Sequence, residues 1–346
     1  MAERRQIVRS YVAQGLSVEK SASVAGIGRS TYYYKGTGVR KGKVPSLYTP
    51  YRGKLVSNEK VVKAIKTILS DEFIDYGYKR TCMALRQRGY RINPKKVYRL
   101  MREANFLYSR RKPSPQRKRT FVKYTTPAYE RPFATLQMDI KYVYLWEQRR
   151  NAFLLTVLDT FSRMAVDWEL DFQMKAAQVA AVIDRVKTHP LVKPYLQGQA
   201  TTVCIRTDNG PQFVARLLAD KIETSPSLKQ EFIRPATPQQ NGHIESFHDT
   251  LQNLVLNRLI LRDLDHARTV LTRFFDTYNN KRIMESILYL SPMGFLRQWE
   301  KNRIGVDPNN NKKPFFFRGR QIQNGSALPP EDFVWSSRRY TLSPDV

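Results

Sequence analysis

Between Thr135 and Arg206 the apolar residues recur with two different periods, and that alternation fixes the fold class before any single residue is considered. In TLQMDIKYV, Leu136, Met138, Ile140 and Tyr142 alternate with Gln137, Asp139 and Lys141, the period-two pattern of a strand with one apolar face. NAFLLTVLD and RMAVDWELD read as second and third strands, and TFSR between them is short enough for a hairpin. KAAQVAAVIDRVKTH (175–189) carries a helical period, and TTVCIR (201–206) returns to a strand of the buried type. Strand, strand, strand, helix, strand, helix is an α/β order. On this reading the polar set of the first strand faces away from the core, so Asp139 projects from mid-strand.

Two further acids sit at marked places. In IRTDNGPQF, Asp208 follows the end of the strand; Gly210 suits a tight turn, and Pro211 suits the first turn of a helix carrying Phe213, Leu217 and Leu218. In QQNGHIESFHDTLQNLVL, Ile244, Phe247, Leu251, Leu254 and Val255 form a helical stripe, and Glu245 lies off it near the helix start. Singly, each acid has an ordinary role as an ion-pair partner, a cap or a complement to a helix dipole. Together, one mid-strand, one at a neighbouring strand end and one on a packed helix, they converge without unpaired buried charge only if cations join them.

The front of the chain has a different character. The formal net charge is +29, and residues 1–131 hold 31 Lys and Arg against eight Asp and Glu, which points to a polyanionic partner, nucleic acid before membrane. Residues 3–14 read as a helix, Gly15 breaks it, Ser17 caps a short helix to Ala25, and GIG leads into RSTYYYK. This is helix, turn, helix, with Arg29, Ser30, Thr31 and Lys35 placed to reach phosphates or base edges; the alternative is a helical hairpin whose tyrosines are core. After a Gly, Lys and Tyr-rich connection at 36–56 come three more helical segments, the last with Asn93 as N-cap and Pro94 at its first position. Val97, Leu100 and Met101 form its buried stripe. Lys95, Arg99 and Arg102 share the outward face, with Lys96 beside them, and no acids alternate with them, so phosphate binding is the reading for all four. The linker SRRKPSPQRKRTFVK (109–123), with Arg110 and Arg111, reads as a cationic arm along DNA.

QMDIKYV, VLDTFSRMAVDW, RTDNGPQF and PQQNGHIESF, in that order, resemble the catalytic core of DDE transposases and retroviral integrases, specifically the OrfB-type transposases of bacterial insertion sequences. The likeness runs from GIGRSTYYYK through YNNKR and LSP, roughly residues 20–297. It implies an RNase H-like core with a mixed five-stranded sheet, preceded by all-α helix-turn-helix domains. It further implies Asp139, Asp208 and Glu245 as the catalytic, metal-binding triad, two Mg²⁺ ions for which Mn²⁺ can substitute, and DNA cleavage and strand transfer. Asn209, Gln212, Gln240, Asn241 and His243 lie near that cleft in the motifs and would position DNA; His243 and His248 are read as hydrogen-bonding rather than catalytic groups. The partners implied are element ends and target DNA, and a homo-oligomer, dimer or larger, since two ends are joined at once. The alternatives are a metal-dependent nuclease that cuts without transfer, and a DNA-binding regulator with a silent core. Two departures stand out: 36 residues separate Asp208 from Glu245, one more than is usual, and RIMESI replaces an arginine-proline-histidine run.

The organisation expected is a helix-turn-helix unit at 1–36, a three-helix unit at 57–106, a basic linker at 107–131, the core at 132–300 and an extension at 301–346, whose aromatic runs suit a small β unit or an ordered arm. Cys82 and Cys204 lie apart with no zinc or disulfide spacing. The amino terminus lacks an apolar signal core and no stretch reaches the ~18 apolar residues of a membrane span, so the expectation is a protein of the bacterial cytoplasm, associated with the nucleoid.

Overall fold

The computed structural model describes residues 2–34, 45–107, 130–197, 202–233, 238–310 and 313–318, and the chain divides into two compact units, Met1–Ser46 and Leu47–Val346. In the first, α1 (Ala2–Ala13), α2 (Val18–Val24) and α3 (Arg29–Tyr33) follow in the expected order. Gly15, at φ +92°, makes the break where an L side chain would be strained, and Ser17 Oγ caps α2 by accepting from Lys20 N. Val8 and Ala22 form the small core. Of the three tyrosines, Tyr32 is half-buried while Tyr33 and Tyr34 are 57% and 58% exposed, so at most one of them packs as the hairpin alternative requires. Arg5 instead closes the end of α3, donating to the carbonyls of Thr31 and Tyr34 at 2.8 and 2.9 Å.

The second unit opens with a hairpin where the sequence predicts only a connection. Strands β1 (Tyr48–Tyr51) and β2 (Lys54–Ser57) pair antiparallel around Arg52 and Gly53, both at positive φ, the signature of a two-residue type I′ turn. Then come α4 (Asn58–Leu69), α5 (Tyr78–Gln87) and α6 (Pro94–Glu103), packed through Val61, Ile65, Leu85, Val97, Leu100 and Met101. The Asn93 side chain accepts from Lys96 N at 2.8 Å, the cap expected of it.

The sheet is mixed, with order β5-β4-β3-β6-β7. Strands β3 (Thr135–Leu145), β4 (Arg150–Asp159) and β5 (Ala165–Asp171) are antiparallel; β6 (Val203–Thr207) and β7 (Leu228–Phe232) add parallel to β3. Helices α7 (Ala176–Thr188), α8 (Lys193–Leu196), α9 (Pro211–Val214) and α10 (Arg216–Glu223) connect the last three strands. One face buries Leu136, Met138 and Ile205 under Val182 and Ile183 of α7 and Phe213 and Leu218. The other buries Val143, Leu145, Leu154 and Leu158 under α11 (Gly242–Leu251) and α12 (Leu264–Asn280). Because both faces are covered, the one-sided reading of β3 is corrected: Gln137, placed among outward polar residues, is only 1% exposed, and Tyr142, placed in the core, is 64% exposed. The helix expected after Asp208 is broken at Ala215, whose ψ of 135° sends Leu217 to solvent and Leu218 inward.

Helix α11 runs into a π-helical turn, Gln252–Leu256, preceded at its start by a 3₁₀ turn, Pro238–Asn241. After α13 (Pro292–Glu300), strands β8 (Ile304–Val306) and β9 (Phe315–Phe317) pair antiparallel and seat Phe315 and Phe317 against Phe161 and Phe295. The three helices α4–α6 are docked on the segment after α12. Arg282, buried, pairs with Asp75 at 2.9 Å and donates to the Phe73 carbonyl; the Tyr76 hydroxyl accepts from Ile283 N; and Gln87 donates to the Tyr289 carbonyl at 2.6 Å. Ile283 completes the helical core. The contacts of Arg282 and Ile283 come from RIMESI, the stretch that departs from the resembled pattern, and that of Tyr289 from just beyond it. Among the described residues, no helix is long and apolar enough to cross a membrane.

Candidate active site

Strand pairing sets the geometry of the acids. β3 and β6 run parallel with Thr135 opposite Cys204 and Gln137 opposite Arg206. Continuing that register by two residues sets Asp208, just past the end of β6, level with Asp139. On the other side Asp139 pairs with Thr156 of β4. Glu245 lies exposed in the first turn of α11, the helix that lies on this face of β3.

The link between helix and strand is Gln137. Its amide nitrogen donates to the Gln240 carbonyl at 2.7 Å and its amide oxygen accepts from Ile244 N at 3.0 Å. Asp139 Oδ1 accepts from the Ile140 amide at 2.8 Å, and Oδ2 lies 3.4 Å from His248 Nδ1. His248 is buried, and its Nε2 makes no hydrogen bond. Asp208 Oδ1 accepts from Gly210 N at 2.9 Å, closing a turn stabilised by the aspartate itself. Gly210 has an ordinary φ of −61°, so the expectation of conformational need is replaced by one of space: a Cβ there would lie 2.5 Å from Gln212 Nε2 and 3.0 Å from Asp208 Oδ1. Among the described residues, no three His, Cys, Asp or Glu side chains stand close enough to hold one metal ion; the fold aligns the acids on one side of the sheet without drawing them into a single cluster.

The remaining residues divide. Asn209 is exposed and donates to the Ile233 carbonyl at 3.1 Å, and Gln212 and Gln240 are half-buried. Asn241 is buried, which removes its side chain from any DNA-facing surface. Burial, reinforced by the Arg163 and Arg206 charges, pushes His243 down to about 3, so it is a neutral imidazole rather than a phosphate-holding cation. Arg206, for which the sequence predicts no role, is buried two residues before Asp208 and pairs with Glu231 at 3.0 Å. Burial and the same carboxylate push the Cys204 thiol up to about 12. Farther off, Lys95 and Arg102 are exposed on α6 and Arg99 is half-buried, whereas Lys96 Nζ is engaged by the Tyr48 carbonyl at 2.7 Å and braces the hairpin. Arg29 and Ser30 are exposed and Thr31 half-buried; Lys35, Arg110 and Arg111 lie outside the described residues, as do most of the basic linker and the end of the tail.

Residues 129–238 and 227–292 match two models of the family described as Integrase core domain, and residues 57–114 match the HTH-like domain. A 31.7 kDa protein of insertion element IS407 from Burkholderia multivorans is 30% identical over 247 residues, 71% of this chain and 84% of that one. The chain belongs to the insertion-sequence transposases of the OrfB type. The transposase is also 27% identical to a 39.2 kDa protein of insertion element IS476 from Xanthomonas euvesicatoria, over 90% of this chain and 80% of that one. Among solved structures it is similar to the catalytic core domain of BIV integrase, 18% identical, covering 49% of this chain and 98% of that chain at a TM-score of 0.35. The transposase thus joins an integrase core, built on the mixed sheet, to an HTH-like domain.

Proposed function

We propose that this transposase cleaves the ends of its element and joins them to target DNA with Asp139, Asp208 and Glu245 as the acting carboxylates. The observation that carries the reading is the register of β3 and β6, which sets Asp139 and Asp208 level on neighbouring strands with α11 and Glu245 on the same side. As a donor set the three suit a hard cation: all are carboxylates, with no thiolate among them. They would hold Mg²⁺, and bound divalent ions supply activation of the attacking oxygen and neutralisation of charge on the leaving one. The chain's own residues do the rest. The Asp208 turn is closed by the bond from Gly210 N to its carboxylate, and the absence of a side chain at Gly210 leaves room for Gln212 and the Asp208 carboxylate beside it. Arg29 and Ser30, and Lys95 and Arg102 on α6, lie exposed for phosphates and base edges, while Asn209, Gln212 and Gln240 border the carboxylates. Joining two ends at once calls for a dimer or larger assembly on DNA, in the bacterial cytoplasm.

Replacing Asp139→Asn, Asp208→Asn or Glu245→Gln should each lower end cleavage and strand transfer by more than about 100-fold, the upper range for losing a merely supporting residue. Binding to end DNA, carried by the basic helices, should stay within about twofold. Gel shifts and strand-transfer assays on each variant decide it; a variant that still cuts removes its residue from the set.

A further inference from the structure

We infer that Gln137 is the positioning residue of the active site, acting from β3 as the N-terminal cap that α11 lacks. This rests on the reading of Asp139 and Glu245 as acting carboxylates. The first turn of a helix leaves backbone N–H groups without partners inside the helix, and the residue before it ordinarily supplies an oxygen. Asn241 occupies that position in α11, and its side chain makes no cap hydrogen bond. The missing oxygen comes from another element: Gln137 Oε1 takes Ile244 N at 3.0 Å. The other half of the same amide, Nε2, donates to the Gln240 carbonyl at 2.7 Å in the 3₁₀ turn that leads into the helix. Both hydrogen bonds are made by a side chain only 1% exposed. An amide used on both sides and shielded from water fixes orientation as well as distance, since flipping it would set donor against donor and acceptor against acceptor.

The placement matters more than the bonds. Gln137 and Asp139 are two residues apart on one strand and face the same side, and Ile244 immediately precedes Glu245. One side chain therefore ties the strand that bears the first carboxylate to the turn that bears the third. A second tie follows one helical turn later, where His248 Nδ1 lies 3.4 Å from Asp139 Oδ2. Between the two ties Ile244 and Phe247 are buried, so α11 can neither slide nor roll without breaking a polar contact or exposing core. Arg206, opposite Gln137 on β6, is engaged by Glu231.

The test separates the two halves of the amide. Gln137→Met keeps length and burial and removes both hydrogen bonds; Gln137→Glu keeps the acceptor for Ile244 N and loses the donor to Gln240. Four measurements are made on the full chain: thermal unfolding, end-DNA binding by gel shift, end cleavage, and Mn²⁺ titration followed by its paramagnetic resonance signal. The expectation for Gln137→Met is cleavage and Mn²⁺ affinity each down about 10- to 100-fold with DNA binding within about twofold. Gln137→Glu, which sets a buried carboxylate oxygen against the Gln240 carbonyl, should fall at least as far as Gln137→Met. Hydrogen exchange should rise in the peptide spanning residues 238–247 of Gln137→Met and stay unchanged in β4 and β5. Parental cleavage and Mn²⁺ affinity in Gln137→Met would overturn the inference, as would a loss of DNA binding and melting temperature in proportion to activity, which marks an ordinary core residue. The carboxylate reading fails separately, through the three amide variants; if they are inactive and Gln137→Met is not, only the role of Gln137 is lost.

Discussion

A carboxylate can be as indispensable to the fold as to the chemistry, and Asp159 is the case here. It is fully buried and accepts four hydrogen bonds, from Phe133 N, Phe161 N, Ser162 N and Ser162 Oγ, tying the lead into β3 to the turn between β4 and β5. Asp159→Ala leaves those donors unsatisfied and should cost about 3 kcal/mol in urea unfolding, with Asp159→Asn intermediate. His189 gives a pH signature. Burial lowers its pKa, and Nδ1 accepts from Leu191 N at 3.2 Å, which requires the neutral ring. The unfolded chain takes up a proton near the ordinary histidine pKa of about 6.5 and the folded chain only below it, so stability falls as pH drops from about 7 toward 5. Unfolding of His189→Gln across that range should show a shallower fall. At this scale the three proposed acids each stand at a marked place in their own segments, which is what singles them out in the sequence. Gln137 was not legible: a polar residue in an alternating strand reads as outward, and what buries Gln137 is a helix over a hundred positions away. Nothing local to TLQMDIKYV encodes that cover.

Elements were legible where one period or one cap dominated, as in α7 and in α6 with Asn93 and Pro94. The misses share a cause. In β7 the residues Lys229, Gln230 and Glu231 interrupt any apolar run, and the strand exists because β6 offers a parallel partner along its whole length; LKQEF alone is a loop by composition. The β1–β2 hairpin hides similarly behind Pro50 and Lys54, with a turn that puts Arg52 rather than the usual asparagine or aspartate at positive φ. That hairpin changes what α6 does with its charges. Lys96 is spent bracing the Tyr48 carbonyl, and Lys95 is exposed. Lys96→Ala should therefore lower stability by about 1 kcal/mol, whereas Lys95→Ala should leave the melting temperature alone and weaken binding to end and scrambled DNA equally. Thermal unfolding paired with competition binding at one salt concentration reads both.

On the scale of the whole molecule, charge distribution made a strongly basic front end legible, but composition cannot say whether such a part is tethered or seated. Within Leu47–Val346 it is seated: Asp75, Tyr76 and Gln87 are bound to Arg282, Ile283 and Tyr289, and the apolar core of α4–α6 borrows Ile283. Cutting the chain after the basic linker would strip those partners away, so the helices belong with the sheet as much as with the linker's charge. If α6 grips the element's end, then grip and cut are two marks on one rigid ruler, and the protein, not the DNA, dictates how many base pairs separate them. Inserting a single base pair between the bound segment and the scissile position would carry the original scissile phosphate about 3.4 Å away from the carboxylates and turn it by about a tenth of a revolution. End DNA lengthened in that way should bind as before and be cleaved at a site displaced by one nucleotide, at the spacing the ruler keeps. Cleavage that instead follows the original sequence would mean that the helices and the sheet move independently on DNA.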